Sequence, residues 1–267
     1  MAQPSRADAD AARRLVAPGV EQIGRIEASA ITESSGIAAS RRHEGVFWTH
    51  NDKGSKPRLF ALTREGRLRS EFKVEGAKFS DWEDIALDDQ DRLYLADIGN
   101  NNAKRDDVEV YRVAEPDPKA GGIIRPDVKW KLSYPGKPFD SEALFIWKDA
   151  GYVISKVTND RLAELYRFSL TEPTAASVAL EKVVTLPISS PVTGADISRD
   201  GQKLGIVCKI GAYVFRIDGD PAQAKTVRPW HTRFRHDSIE ACCFVSEGLL
   251  ATAETREIYL FTDEAFR

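Results

Sequence analysis

The apolar residues of this chain come in short runs broken by polar and turn-forming residues. One set reads Val46-Phe47-Trp48-Thr49, Leu93-Tyr94-Leu95-Ala96, Tyr152-Val153-Ile154-Ser155, Leu204-Gly205-Ile206-Val207 and Leu249-Leu250-Ala251-Thr252. A second set follows, mostly alternating and with an aromatic in each member: Leu59-Phe60-Ala61-Leu62, Val110-Tyr111-Arg112-Val113, Leu165-Tyr166-Arg167-Phe168, Val214-Phe215-Arg216-Ile217 and Ile258-Tyr259-Leu260-Phe261. Aromatic and β-branched residues in short runs, split by turns such as Arg199-Asp200-Gly201, predict antiparallel strands.

Ahead of each pair of runs stands a third kind of segment, a polar anchor followed by small and apolar residues. These are Ser35-Gly36-Ile37-Ala38, Glu83-Asp84-Ile85-Ala86, Glu142-Ala143-Leu144-Phe145, Thr193-Gly194-Ala195-Asp196 and Glu240-Ala241-Cys242-Cys243. Successive anchors lie 48, 59, 51 and 47 positions apart, a spacing in the range of propeller blades. A less regular fourth strand is expected around 70–74, 128–134, 180–186 and 226–232. The fifth unit ends at Arg267 without one, and the segment 20–29 supplies it from the other end of the chain. A strand borrowed in this way closes the ring and removes two open sheet edges. The reading is an all-β, five-bladed β-propeller closed by an N-terminal strand. A six-bladed ring with one degenerate blade, or a β-sandwich, is the alternative.

Charge narrows the partners. Lys and Arg number 38 against 41 Asp and Glu, a formal charge of −3, so the basic face that a nucleic-acid polymer requires is missing. No apolar run approaches the ~18 to 20 residues that span a bilayer. Cys208, Cys242 and Cys243 lack zinc-site spacing and read as buried structural thiols. Residues 1–18 are Ala-rich and polar and are expected as a flexible extension ahead of one domain over 19–267. They contain no signal-peptide hydrophobic stretch. Met1 is the only methionine. An initiator placed on a trimmed chain implies a secreted or periplasmic protein; otherwise a cytoplasmic one is expected. Oligomeric state is not legible.

In an up-and-down blade, strand one starts and strand two ends at the same rim, so those positions converge on one axial pocket. The first ring is Ser35, Glu83, Glu142, Thr193 and Glu240. Three carboxylates near an axis repel unless neutralised. A hard cation does this, and flexible coordination by six to eight oxygens suits Ca²⁺ better than Mg²⁺. Bonds to neighbouring amides, shared protons or water are the other reading. The second ring comprises His50-Asn51-Asp52, Asp97, Lys156, Lys209 and Glu254, with Arg256 close by. Its cations favour an anionic small molecule, and Asp52, Asp97 and Glu254 are candidate bases. Solvated surface pairs are the bland alternative. The loop Asp97-Ile98-Gly99-Asn100-Asn101-Asn102 either closes over a ligand, with Asn100 the candidate contact, or makes an Asx-rich turn. His231 and His236 are reserves on the same rim.

These blade starts resemble those of the calcium-activated nucleotidase (apyrase) family, five-bladed propellers that hydrolyse nucleoside di- and triphosphates. That family binds axial calcium through Ser, Glu, Glu, Ser and Glu from successive blades, an order matched by Ser35, Glu83, Glu142, Thr193 and Glu240. The segment Asp81-Trp82-Glu83-Asp84-Ile85-Ala86, continuing through Leu93-Tyr94 to Gly99, is similar to its second blade. Asn51-Asp52-Lys53-Gly54 stands where its first blade has an acidic turn. The chain is also similar to uncharacterised bacterial propellers with ESSGIA, DWEDIA and TGADIS-type blade starts, which implies a fold and no reaction.

Three functions are compatible with these residues. The first is a Ca²⁺-dependent hydrolase of a phosphate-bearing or otherwise anionic small molecule, with Lys156, Lys209 and Arg256 holding the anion and Asp97 or Asp52 as base. The second is a non-catalytic module binding a sugar, peptide or anion. The third is a glycoside-processing enzyme built on Asp97 with Glu254 or Asp52, which needs two acids about 5 to 9.5 Å apart in an open cleft.

Overall fold

The computed structural model describes residues 13–52, 56–158, 161–173 and 175–266. Their strands form five antiparallel-cored sheets, and the innermost strands neighbour one another in a closed cycle. The five-bladed propeller expected from the repeat is the observed fold. Blade one runs outward from Ser34–Ala39 through Phe47–Asn51 and Arg58–Leu62 to Leu68–Val74. Blade two consists of Asp84–Leu87, Arg92–Asp97, Asp107–Ala114 and Val128–Ser133. Blade three has Ser141–Trp147, Ala150–Ser155, Glu164–Ser169 and Glu181–Thr185, and blade four Val192–Ile197, Lys203–Cys208, Gly211–Arg216 and Trp230–Thr232. Blade five begins with Ile239–Val245, Gly248–Ala253 and Glu257–Thr262.

Its fourth strand is Val20–Arg25, which pairs antiparallel with Glu257–Thr262 so that Val20 faces Phe261 and Arg25 faces Glu257. The two ends of the chain thus meet in one sheet. Arg14–Ala17 adds a further strand outside it, inside the segment expected to be an extension; residues 1–12 of that segment lie outside the described residues. Two other edges are covered by neighbouring connections. Gly122–Ile124 pairs parallel with Leu68–Val74, and Val178–Ala179 with Val128–Ser133.

Burial explains which strands announce themselves in sequence. Phe47–Asn51 is buried at every position, whereas Leu68–Val74 is buried at only two of seven. Inner strands have neighbours on both faces, so apolar residues run unbroken; outer strands keep a wet face. The core consists of five clusters, one between each pair of adjacent blades. Trp48 and Trp82 fill the wedge between blades one and two, and Trp130, Tyr94 and Phe168 that between two and three. Each large buried side chain stabilises the ring by about 1.5–3 kcal/mol. The three cysteines are free and buried, and burial raises all three thiols, so they stay protonated and unreactive.

Near the axis the inner strands approach closely. A methyl group on Gly36 would lie 2.7 Å from Ile85 N, and one on Gly194 2.8 Å from Glu240 O. Buried carboxylates tie the strands together. Asp84 accepts from Ile85 N in its own blade and from Leu144 N in blade three, both at 2.8 Å. Asp196 repeats this with Ile197 N and with Phe244 N of blade five, also at 2.8 Å.

Candidate functional site

The site is built by a recurring irregularity. In blade one Ser34 pairs with Asn51 and Gly36 with His50, which leaves Ser35 bulged out of the ladder. The same slip isolates Glu142, Thr193 and Glu240 in blades three, four and five. A bulge bends the strand and re-aims the extra residue. Glu83 stands just ahead of the ladder of blade two, its amide bonded to Ala96 O at 2.9 Å. The anchors are therefore structural equivalents at one end of the axis.

Four of the five border a cavity of about 190 Å³. Ser35, Glu83, Glu142 and Glu240 line it; so do Asp52, Lys156, Lys209 and Glu254 from the ends of second strands. Ser35 Oγ lies 3.5 Å from Glu83 Oε2. Lys156 forms an ion pair with Glu142. Thr193 is the anchor that does not reach the cavity: its hydroxyl is buried and donates to Val207 O at 3.4 Å. A much larger cavity, about 1230 Å³, opens at the other end of the axis against Ile37, Phe47, Arg41, Phe244 and Leu249. It is wide, of mixed charge, and bordered by none of the anchors, so size does not make it the site.

Five residues expected around the ligand do not line this cavity. His50 is fully buried, with Nδ1 bonded to Asn51 O at 3.0 Å and its ring edge-on to Trp82; burial lowers its pKa and keeps it neutral. Asn51 accepts from Thr32 N and donates to Ala30 O, pinning the connection into blade one. Asn100 accepts from Lys104 N and Arg105 N, the Asx-turn reading of that loop. Arg256 sits at φ 76° in a turn and its carbonyl accepts from Ile26 N. Asp97 has no exposed surface and its Oδ1 accepts from Arg105 Nη1 at 3.0 Å and Asp81 N at 2.8 Å. It does not line the axial cavity, so the acid pairs expected for glycoside cleavage lack their common member there. His231 stacks on Tyr213 in the outermost strand of blade four, and His236 meets Tyr259 Oη at 3.1 Å; neither borders the cavity.

Glu33 and Asp81 escaped the sequence reading, and Asn101 was read only within the loop after Asp97. Glu33 and Asn101 line the cavity. Asp81 stands two residues before the anchor Glu83, and one carboxylate oxygen each of Asp52, Asp81 and Glu83 lie within 4.8 Å of one another. The signal available was the acidic spacing in Asp81-Trp82-Glu83, read as scaffold rather than as chemistry.

Crowding shapes the charges. Burial, then Glu142, Asp52 and Asp81, pushes Glu83 well above the carboxylate range. Burial raises Glu142 to about 7 against the pull of Lys156. Burial, Glu142 and Glu254 raise Glu240 to about 8 in spite of Lys156 and Lys209. Burial works against the charge of Lys156, and the carboxylate of Glu142 outweighs it, so this ammonium stays protonated.

The donors are mainly hard oxygens: six carboxylates, the Ser35 hydroxyl and the Asn101 amide border the cavity. Glu142 Oε2 is shielded and has no hydrogen-bond partner among the described residues. That set fits a hard divalent cation; Lys53 and Gly54 of the neighbouring turn lie outside the described residues.

No known family description matches the sequence, and no curated protein is similar enough in sequence to match. Solved structures do match in fold. A nidogen/laminin complex superposes with a TM-score of 0.51 at 12% identity, over 88% of this chain and 83% of that one. XC5397 from Xanthomonas campestris, described as a gluconolactonase, gives 0.48 at 15% identity, over 94% and 91%. The Dos1 propeller gives 0.43 at 16%, over 82% and 52%. At such identities the likeness concerns the path of the chain alone: this is a β-propeller protein.

Proposed function

We propose that the axial cavity is the site of a calcium-dependent hydrolase acting on a small anionic molecule, phosphate- or carboxylate-bearing. The observation that carries this reading is the convergence of six carboxylates and two lysines on one space of about 190 Å³. Carboxylates at that density favour a bound cation, and Lys156 and Lys209 beside them favour an anion next to it. Such a volume lies below the ~300–1,000 Å³ typical of pockets that enclose a drug-sized ligand. The cavity therefore suits a compact anionic group better than a whole nucleotide.

Glu83 and its acidic neighbours would hold the cation, which when bound supplies Lewis-acid polarisation of the scissile group. Lys209 and Lys156 orient the anion. Glu240, with its carboxyl near 8, is assigned as proton acceptor, since a base tuned close to the working pH transfers protons best. Two measurements test the reading. Chelation should lower the melting temperature and Ca²⁺ should restore it. A panel of phosphate and carboxylate esters should include a substrate whose turnover is lost in Glu240→Gln while the Ca²⁺ response persists. Melting indifferent to Ca²⁺ would remove the cation. Ligand binding without any turnover would make the protein a binding module.

A further inference from the structure

We infer that the cation is held off the propeller axis, on Asp52, Asp81 and Glu83 at the seam of blades one and two, and that the Asp97–Arg105 ion pair is the positioning element that sets Asp81. The inference rests on the cation-dependent reading above and narrows it to a place and a ligand set.

Thr193 is turned away to Val207 O, and one carboxylate oxygen of Glu142 is engaged by Lys156. The ammonium of Lys156 already supplies positive charge on that side. Asp52, Asp81 and Glu83 bring three carboxylate oxygens within 4.8 Å of one another, a spacing a single cation can bridge. Glu142, only 6% exposed, lines the same cavity, and its shielded Oε2 has no hydrogen-bond partner among the described residues. That oxygen is a further hard donor at the cavity, suited to a cation or its bound water.

Asp81 is held from behind at both ends of its main chain. Its N–H donates to Asp97 Oδ1 at 2.8 Å, and its carbonyl accepts from Gly99 N at 3.1 Å. Arg105 locks both partners: Nη1 donates to Asp97 Oδ1 at 3.0 Å and to Gly99 O at 2.8 Å, and Nη2 to Asp97 O at 3.1 Å. The loop passes so close that a side chain on Gly99 would collide with the carboxylates of Asp81 and Glu83. From the cavity side Asn101 Nδ2 donates to Asp81 Oδ2 at 3.3 Å. A partly buried ion pair that grips main chain and does not line the axial cavity serves to place the acid it holds.

Terbium luminescence tests this on the whole chain. Tb³⁺ occupies the oxygen sites of Ca²⁺ and is sensitised by nearby tryptophan, and Trp82 lies between Asp81 and Glu83 in sequence. Wild type should bind Tb³⁺ and release it to excess Ca²⁺. Arg105→Ala should weaken binding about 10- to 100-fold, the usual loss when an outer partner of a metal ligand is removed. Asp81→Asn should weaken it at least as much, Arg105→Lys should recover part, and Glu240→Gln should bind as wild type. If Arg105→Ala does not fold, the near-isosteric Asp97→Asn is read in its place with the same loss expected. Binding lost in Glu240→Gln but kept in Asp81→Asn would put the ion on the axis and overturn the inference. Unchanged affinity in the Arg105 and Asp97 variants would overturn the positioning role. A wild-type chain that binds neither Tb³⁺ nor Ca²⁺ would bring down the cation-dependent reading itself.

Discussion

Lys156 shows how one side chain can stand in for part of an ion's charge. Its ammonium pairs with Glu142, which is 7% exposed at the side chain, and is itself only 19% exposed. Replacing it with Met removes the counter-charge and leaves an acid buried among acids. Breaking one partner of a buried pair costs about 3–5 kcal/mol, softened here because Glu142 can take a proton. Lys156→Met is therefore expected to destabilise more at pH 8 than at pH 5.5, as read by denaturant melts at the two pH values. An equal loss at both would mean that Glu142 is not charged in the native protein. Asp84 gives a second case. Asp84→Ala leaves the buried Leu144 N–H without its acceptor, a penalty of about 1–3 kcal/mol, to be read from the same kind of melt.

At the scale of single strands, the bulge matters more than the residue that occupies it. The slip at Ser35, Glu142, Thr193 and Glu240 turns each anchor out of its ladder, and a small residue follows in every case: Gly36, Ala143, Gly194 or Ala241. At Gly36 and Gly194 that residue faces the next blade at close range. Gly194→Val would set a branched side chain against Glu240 O and Ala241 Cα, each under 3 Å from the first added carbon. Backbone atoms cannot rotate aside as a side chain can. Overpacking of this kind costs about 1–3 kcal/mol or more. The variant should melt lower and also weaken whatever Glu240 contacts. A neutral Gly194→Val would contradict the close approach of blades four and five.

For the molecule as a whole, closure and titration are the properties to measure. The ring is shut by Val20–Arg25 on Glu257–Thr262, with Val20 and Ile23 buried in the cluster each enters. Removing residues 1–25 exposes the edge of blade five and its apolar lining. The truncated chain should lose its sharp melting transition and associate, as followed by calorimetry and gel filtration; an intact monomeric transition would show that closure is dispensable. Titration reports the buried acids. Glu83, Glu142, Glu240, Asp84 and Asp196 all sit above ordinary carboxylate values, chiefly through burial. The folded chain then holds more protons than the unfolded one from the ordinary carboxylate range up to about pH 8. Stability of the cation-free protein should fall as pH rises through that window. Melts in chelator at pH 5.5 and 8.5 check this, and a flat profile would refute it. Calcium at pH 8.5 should restore what is lost.

The number of blades, the closing strand and the ring of anchors were all legible in the linear chain. Local chemistry suffices for these: inner strands buried on both faces must be apolar, turns must be polar, and a repeat exposes its period in any single copy. Asp81 and Glu33 were not legible, because nothing local distinguishes an acid that meets Asp52 across a blade seam from one that ends a loop. Nor was the fate of Asp97 and His50, which stand at the expected rim but turn into the protein. Whether a polar side chain faces a cavity or its own backbone depends on packing between blades, and that arises only when five separate wedges of core settle around one axis.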